Sequence, residues 1–193
     1  MFIDGQPFYG GFQPGKDIER ELLGTTKKKE MESCENKNKF ESSKHEGYAS
    51  FERSIADIKH RQRSENFSEP EAQFADDLYA TIVSLLNLED NSLLSYYTAL
   101  APEGMPDTAL DWYHGVDAFF ELQKEKGMVR VTIDASMRDK DIKADIFFKI
   151  PPDFAYKTFP GDKLSEIEDK IYNNTLRALA LEIIDKMNKK SYN

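Results

Sequence analysis

A stretch with the composition of two β-strands around a short polar turn constrains the fold more than any other part of the sequence. Runs 116–122 and 128–134 are rich in β-forming residues, and the segment 124–127, Lys-Glu-Lys-Gly, has the composition of a turn. One antiparallel register places apolar partners on one face and an ion pair on the other, and a slip by one residue would break both faces. The sequence therefore predicts a hairpin with these pairs: Ala118–Ile133, Phe120–Val131, Leu122–Val129, Glu121–Arg130 and Phe119–Thr132.

The same register predicts that Asp117 lies directly opposite Asp134. Like charges opposed in an antiparallel ladder destabilise it, unless a divalent cation, a shared proton or a neighbouring Lys or Arg compensates them. Lys140 and Lys143 follow closely, before a third predicted strand at 144–150. Two carboxylates with a lysine nearby suit metal-dependent phosphodiester hydrolysis, in which Asp117 and Asp134 hold Mg²⁺ or Mn²⁺. The alternative interpretation is two solvated carboxylates that splay apart at the strand ends.

The residues around this pair resemble the PD-(D/E)XK nuclease superfamily. The resemblance is carried by GVDAFFE around Asp117 and VTIDAS around Asp134, and covers roughly residues 70–187. It implies a core of helix, three strands, helix and strand, with Asp117, Asp134 and either Lys140 or Lys143 as catalytic residues. The chain departs from the superfamily at Ser136, where the motif has Lys, and in lacking a predicted final strand. The resemblance thus implies either a nuclease with a displaced lysine or a relative that no longer cuts.

Apolar spacing predicts the helices around this hairpin. One helix begins near Glu71, a second is predicted from Asn91 or Ser92 to Leu100, and a long final helix spans 164–187. With the strands at 116–122, 128–134 and 144–150, the predicted fold class is α+β, a three-stranded antiparallel-type β-meander flanked by helices (an αβββα core).

Two further groups near the helices have alternative interpretations. In the superfamily the first helix often supplies another carboxylate, for which Glu71, Asp76 and Asp77 are candidates; favourable charge near a helix N-terminus is the alternative. Trp112 and Tyr113 precede the hairpin, where they could stack on a nucleobase or wedge the helix–strand junction.

The N-terminal part of the chain differs in composition from the rest. Residues 1–24 read as an aromatic arm with a short helix, 25–69 as a polar linker with another short helix, and 70–193 as the globular domain. The arm could bind a partner chain, mediate self-assembly, dock on its own body or be disordered. Its candidate contact residues are Phe2, Phe8, Tyr9 and Phe12.

Composition limits the classes of partner. The formal net charge is −9, which opposes nucleic-acid binding without excluding it, because phosphate recognition relies on Lys and Arg. No apolar run approaches the ~20 residues of a membrane span, so no membrane partner is expected. The sequence start lacks signal-peptide features, and the lone Cys34 fits a reducing compartment.

Two functional hypotheses follow for a cytoplasmic protein, or a virion protein if the gene comes from a phage. Richness in Lys, Asn and Glu fits a phage or bacterial origin. The first hypothesis is a metal-dependent nuclease or its inactive relative. The second is a structural or assembly protein, for example a virion component, that docks to neighbouring chains through residues 1–15.

Overall fold

The computed structural model describes residues 2–3, 6–7, 14–26, 49–62, 69–139, 141 and 143–190. Within these ranges the chain is a mixed α+β protein with a four-stranded sheet flanked by helices. The helices are α1 Pro14–Leu23, α2 Phe51–Arg61, α3 Gln73–Leu86, α4 Ala109–His114 and α5 Glu166–Lys189, with a 3₁₀ turn at Asn91–Leu93. The strands are β1 Phe2–Ile3, β2 Gln6–Pro7, β3 Leu94–Thr98, β4 Ala118–Lys124, β5 Gly127–Ser136 and β6 Ile146–Lys149.

The predicted register of the central hairpin is confirmed. Strands β4 and β5 pair antiparallel from Ala118 opposite Ile133 to Lys124 opposite Gly127, and the five pairs predicted between 118–122 and 129–133 are all present. The Glu121 carboxylate is buried and receives the guanidinium of Arg130 at 2.8 Å and the amine of Lys59 at 2.6 Å. Two cations compensate the desolvation of this single buried charge, which explains how a glutamate is retained within a sheet.

Helices cover the sheet on both faces. Leu22, Phe74 and Tyr172, from α1, α3 and α5, pack with Phe120 and Val131 in the larger apolar cluster. Each fully buried large side chain of this kind contributes about 1.5–3 kcal/mol through removal of apolar surface from water. On the opposite face α2 and α4 form a smaller cluster with Ile55, Ile58, Tyr97, Leu110 and Phe119. The core is therefore not confined to residues 70–193.

The prediction of a helix from Asn91 or Ser92 to Leu100 is wrong, because a 3₁₀ turn at Asn91–Leu93 leads directly into the strand β3 at Leu94–Thr98. The strand pairs antiparallel with β4, and Tyr96 lies opposite Phe120 while Tyr97 lies opposite Phe119. Tyr96 packs in the larger cluster and Tyr97 in the smaller one, so both faces of the strand are buried. Burial on both faces produces a continuous apolar run whose periodicity does not distinguish a strand from a helix.

The third strand of the predicted meander is present but runs in the other direction. Strand β6 is parallel to β5, and Ile146 lies beside Ile133. The Asp145 carboxylate accepts hydrogen bonds from both the N–H and the hydroxyl of Thr132, at 2.8 and 2.9 Å, and Lys190 donates to the same oxygen at 2.6 Å. These contacts place the start of β6 beside the middle of β5, which a tight antiparallel turn would not allow.

The remaining predicted elements have different outcomes. The helix predicted near Glu71 is α3, and the helix predicted at 164–187 is α5, which begins with a capping box between Ser165 and Glu168. Of the arm residues, Phe8, Tyr9 and Phe12 lie outside the described residues, and Phe2 belongs to the short ladder between β1 and β2. No helix in the described ranges combines the length and apolar character needed to cross a bilayer.

Candidate functional site

Asp117 lies where the chain enters β4, one residue before the ladder with β5 begins. Its N–H donates to the Ile133 carbonyl at 2.9 Å, and its own carbonyl accepts the Ala99 N–H at 2.7 Å. Its carboxylate oxygen Oδ2 accepts the Ala135 N–H at 2.8 Å. The register predicted that Asp117 and Asp134 are ladder partners. They are not, because the Asp117 side chain accepts a hydrogen bond from the backbone at the end of β5.

Gly115 makes this entry possible. It ends α4 in the left-handed conformation, with φ of 56°, and its N–H donates to the Asp111 carbonyl at 2.9 Å. Glycine adopts this conformation without steric strain, which is why it commonly follows the last residue of a helix. A Cβ at this position would lie 3.8 Å from the Asp134 oxygen Oδ2 and 3.9 Å from Cδ of Lys143. The Asp134 carboxylate and the Lys143 stem therefore both lie against Gly115.

Asp134 is almost fully buried, with 1% of its surface exposed. It lies near the end of β5, on the face that also carries Thr132 and Ser136, because alternate residues of a strand share a face. The Lys143 amine donates to the Tyr113 carbonyl at 3.2 Å, which holds the lysine beside the α4–β4 junction. The other predicted lysine, Lys140, lies outside the described residues.

Burial raises the pKa of Asp117 well above its ordinary value of 3.8. The charges of Glu19, Asp111 and Asp134 raise this pKa further, while the hydrogen bond from the Ala135 N–H lowers it. Glu19 comes from α1 and Asp111 from α4, so two helices bring additional carboxylates towards the strand pair. A concentration of negative charge at a buried acid favours a bound proton or a cation.

A lysine on α1 compensates part of this negative charge. The Lys16 amine forms an ion pair with Asp107 and lies 3.2 Å from the Asp111 oxygen Oδ2. Although partial burial lowers the pKa of Lys16, its hydrogen bond to Asp107 and its contacts with Asp111 outweigh that effect and raise it. Lys16 therefore stays charged and ties α1 to the start of α4.

The position where the superfamily motif has Lys is occupied by Ser136, which is buried and accepts the Arg138 N–H at 3.2 Å. The residue beside it on the parallel strand β6 is Lys149. Side chains at paired positions share a face, so Lys149 lies on the same side of the sheet as Asp134. Its amine pairs with Asp139 at 2.7 Å, and both side chains are largely exposed. This second candidate lysine is not apparent from the sequence, because the parallel pairing of β6 was not predicted.

The carboxylates predicted on the first helix have other contacts. The Tyr172 hydroxyl donates to Asp77 at 2.7 Å, which ties α3 to α5. Burial, followed by the charges of Asp77 and Glu69, raises the pKa of Asp76. Glu71 is exposed ahead of α3. The helical carboxylates that act on Asp117 are instead Glu19 of α1 and Asp111 of α4. The only sequence signal for Glu19 is its place in the short helix predicted within residues 1–24.

The aromatic pair ahead of the hairpin divides into two environments. Trp112 is 69% exposed, so it does not wedge the helix–strand junction. Tyr113 is less exposed, at 37%. The buried residues of α4 are Leu110 and His114, and the His114 ring contacts the Ala49 carbonyl at 2.9 Å through Nε2.

Comparison of the chain with models of protein families, with curated proteins and with solved structures finds no match. What the site can do therefore has to be inferred from its own residues. Two buried aspartates, a lysine against the same glycine and a second lysine at the next strand are the groups available for chemistry.

We expect Asp117→Asn to stabilise the protein at neutral pH. Because native Asp117 binds its proton more tightly than the unfolded chain does, its contribution is complete below about pH 4 and is lost as the pH rises through its folded pKa. Asparagine stays neutral and can still accept the Ala135 N–H. Urea unfolding from pH 4 to pH 8 should show the variant gaining stability over the wild type as the pH rises. Asp139→Asn is the control, since the Asp139 side chain is 83% exposed, and a pH-independent difference for Asp117→Asn would contradict the assignment.

Proposed function

We propose that this chain is a nuclease of the PD-(D/E)XK kind that hydrolyses phosphodiester bonds with Mg²⁺ or Mn²⁺. The observation that carries the proposal is the pair Asp117 and Asp134, both nearly fully buried at adjacent strand ends. Burial, and after it the charges of Glu19, Asp111 and Asp134, raise the pKa of Asp117. A chain does not gain stability from two carboxylates in this arrangement, so we infer that they are retained for a ligand.

The donor set fits a magnesium-like ion better than a structural metal. Among the described residues, no group of three or more His, Cys, Asp or Glu side chains is arranged to hold an ion. Mg²⁺ is commonly bound by one or two carboxylates and completes its octahedron with waters and substrate phosphate oxygens. Asp117 and Asp134 provide two carboxylates, whereas a closed zinc site requires four protein ligands, usually Cys or His.

The chain's own residues have separate roles in this proposal. The Ala135 N–H fixes one oxygen of Asp117, and the Asp134 carboxylate lies against the α4–β4 junction at Gly115. A bound cation supplies neutralisation of phosphate charge and a more acidic water. Lys143, whose stem lies against Gly115, is the described cation assigned to stabilise negative charge that develops on the phosphate, and Lys149, on the Asp134 side of the sheet, is the second candidate for this role.

The sheet order is compatible with the superfamily core. The antiparallel strands β3, β4 and β5 are followed by β6, which is parallel to β5, and β3 is the fourth strand absent from the prediction. One difference is that the described residues between β5 and β6 contain no helix. With Ser136 in the motif position, a relative that binds nucleic acid without cutting it is the alternative within this proposal.

The proposal predicts Mg²⁺- or Mn²⁺-dependent cleavage that is lost when either aspartate is neutralised. Purified protein should cut at least one of single-stranded DNA, duplex DNA and single-stranded RNA, and Asp117→Asn and Asp134→Asn should each reduce the rate about 100-fold or more. Asp153→Asn, at an exposed position away from the proposed ligands and lysines, should leave the rate unchanged. Mg²⁺ should also raise the thermal unfolding midpoint of the wild type and not that of Asp134→Asn, because a ligand bound only to the native state stabilises it.

Absence of cleavage on all three substrates, together with an unfolding midpoint indifferent to Mg²⁺, would contradict the proposal. A midpoint that rises with Mg²⁺ in the absence of cleavage would identify the non-cutting relative.

A second candidate function, assembly with neighbouring chains, is favoured by an exposed apolar stripe on α5. Ile167 is 74% exposed, Ile171 49% and Leu181 48%. With exposed Ala178 these residues are separated by four, seven and three positions, which are a and d positions of a heptad with Asn174 at the intervening one, a spacing that suits packing against another helix. The opposite face of α5 carries the core residues Tyr172, Leu176, Leu179, Ala180, Ile183 and Met187. Binding through the arm residues Phe2, Phe8, Tyr9 and Phe12 stays a prediction.

If α5 mediates self-association, Ile171→Glu should convert an oligomer into a monomer, because a charge placed in an apolar contact is costly to desolvate. Sedimentation velocity over a range of protein concentrations measures the change. Ile171→Leu is the matched control and should keep the association. A wild-type protein that stays monomeric at the highest concentration would remove this candidate.

A further inference from the structure

We propose that Trp112 is a stacking surface for an unpaired base of single-stranded nucleic acid at the edge of the carboxylate site. The proposal rests on the nuclease function proposed above and names the class of its substrate. It begins from the exposure of Trp112, which is 69%, whereas Leu110 and His114 of the same helix are buried. Leu110 and His114 already supply the buried side of this short helix, so the fold does not require an indole at position 112.

The chain neighbours of Trp112 take part in the site. Asp111, on one side, contributes to the raised pKa of Asp117. Tyr113, on the other side, accepts the Lys143 amine through its carbonyl oxygen at 3.2 Å. Gly115, three residues further on, lies against the Asp134 carboxylate. These contacts place the backbone of α4 at position 112 beside the carboxylate site.

The helix that carries Trp112 is held in place at both ends. The Thr108 hydroxyl donates to the Ala99 carbonyl at 2.7 Å and accepts the Asp111 N–H at 3.2 Å. At the other end the Gly115 N–H donates to the Asp111 carbonyl. An aromatic ring on such a fixed element loses little conformational freedom when it binds a ligand.

The charge of the protein favours a base as the group that Trp112 contacts. With a net charge of −9 and acidic side chains around the site, the chain gains little affinity from phosphate neutralisation and counterion release. Stacking of a base on an aromatic ring needs no positive charge and tolerates every base. Bases in a duplex have their faces covered by neighbouring base pairs, so the expected occupant is an unpaired base.

The sequence contains a single tryptophan, so intrinsic tryptophan fluorescence reports on Trp112 alone. The full-length protein is titrated with oligo(dT), oligo(U) and a DNA duplex of the same length at low salt, with Ca²⁺ replacing Mg²⁺ to limit cleavage. We expect the free protein to show the emission of an exposed indole, and we expect saturable quenching by at least one single strand and weaker quenching by the duplex. Emission already typical of a buried indole would show that another part of the chain or a second copy covers Trp112, and would overturn the proposal.

Fluorescence anisotropy of a labelled oligo(dT) or oligo(U) tests the energetic role of the ring. Trp112→Ala should weaken binding about 5- to 100-fold, whereas Trp112→Phe should retain part of the affinity because a smaller aromatic face remains. Phe159→Ala is the matched control, since Phe159 is 67% exposed and lies outside α4. Unchanged urea midpoints would show that neither alanine variant perturbs the fold.

The two proposals fail in different ways. Cleavage that depends on Asp134, combined with unquenched fluorescence and unchanged affinity in Trp112→Ala, would overturn the stacking surface and leave the nuclease intact. Quenching and a loss of affinity in Trp112→Ala, without cleavage under any metal condition, would support the stacking surface and contradict catalysis.

Discussion

The hydrogen bond from the Ala135 N–H to the Asp117 carboxylate joins the sheet to the candidate site. It lies just beyond the last pair of the β4–β5 ladder, where the side chain of Asp117 takes the backbone donor. The same bond keeps a carboxylate with 2% exposure close to the charges of Glu19, Asp111 and Asp134. The sheet therefore fixes an acid in surroundings that oppose its ionisation, and a proton or a cation relieves that conflict.

The parts of the fold that follow from local pattern could be predicted from the sequence. The β4–β5 register follows from matching both faces of two strands, since apolar pairs and the Glu121–Arg130 pair agree on one alignment. Strand β3 could not be predicted, because Tyr96 and Tyr97 are buried on opposite faces of the sheet and the strand therefore lacks the alternation of apolar and polar residues. The direction of β6 depends on contacts of Asp145 with Thr132 and Lys190, which are far apart in the sequence.

The candidate site shows the same division. Asp117 and Asp134 could be predicted as a pair because they flank one hairpin. The hydrogen bond from the Ala135 N–H to Asp117 nevertheless means that the two are not ladder partners. Glu19 approaches from a helix almost a hundred residues earlier in the sequence, and Lys149 reaches the face of Asp134 only through the parallel pairing of β6. The exposure of Trp112 could not be predicted either, because the sequence Trp112-Tyr113 is compatible both with packing at the helix–strand junction and with a position on the surface. Residues assembled by tertiary contacts leave no spacing pattern in a single sequence.

The most direct test of a shared site is a pH titration of the aspartate carboxyl carbons by ¹³C NMR, in the wild type and in Asp134→Asn, with and without Mg²⁺. We expect the Asp117 carboxyl to titrate well above 3.8 in the metal-free wild type. Its midpoint should fall when the charge of Asp134 is removed, and also when Mg²⁺ competes with the proton. An Asp117 carboxyl that titrates at its ordinary value, and responds to neither change, would contradict the central claim.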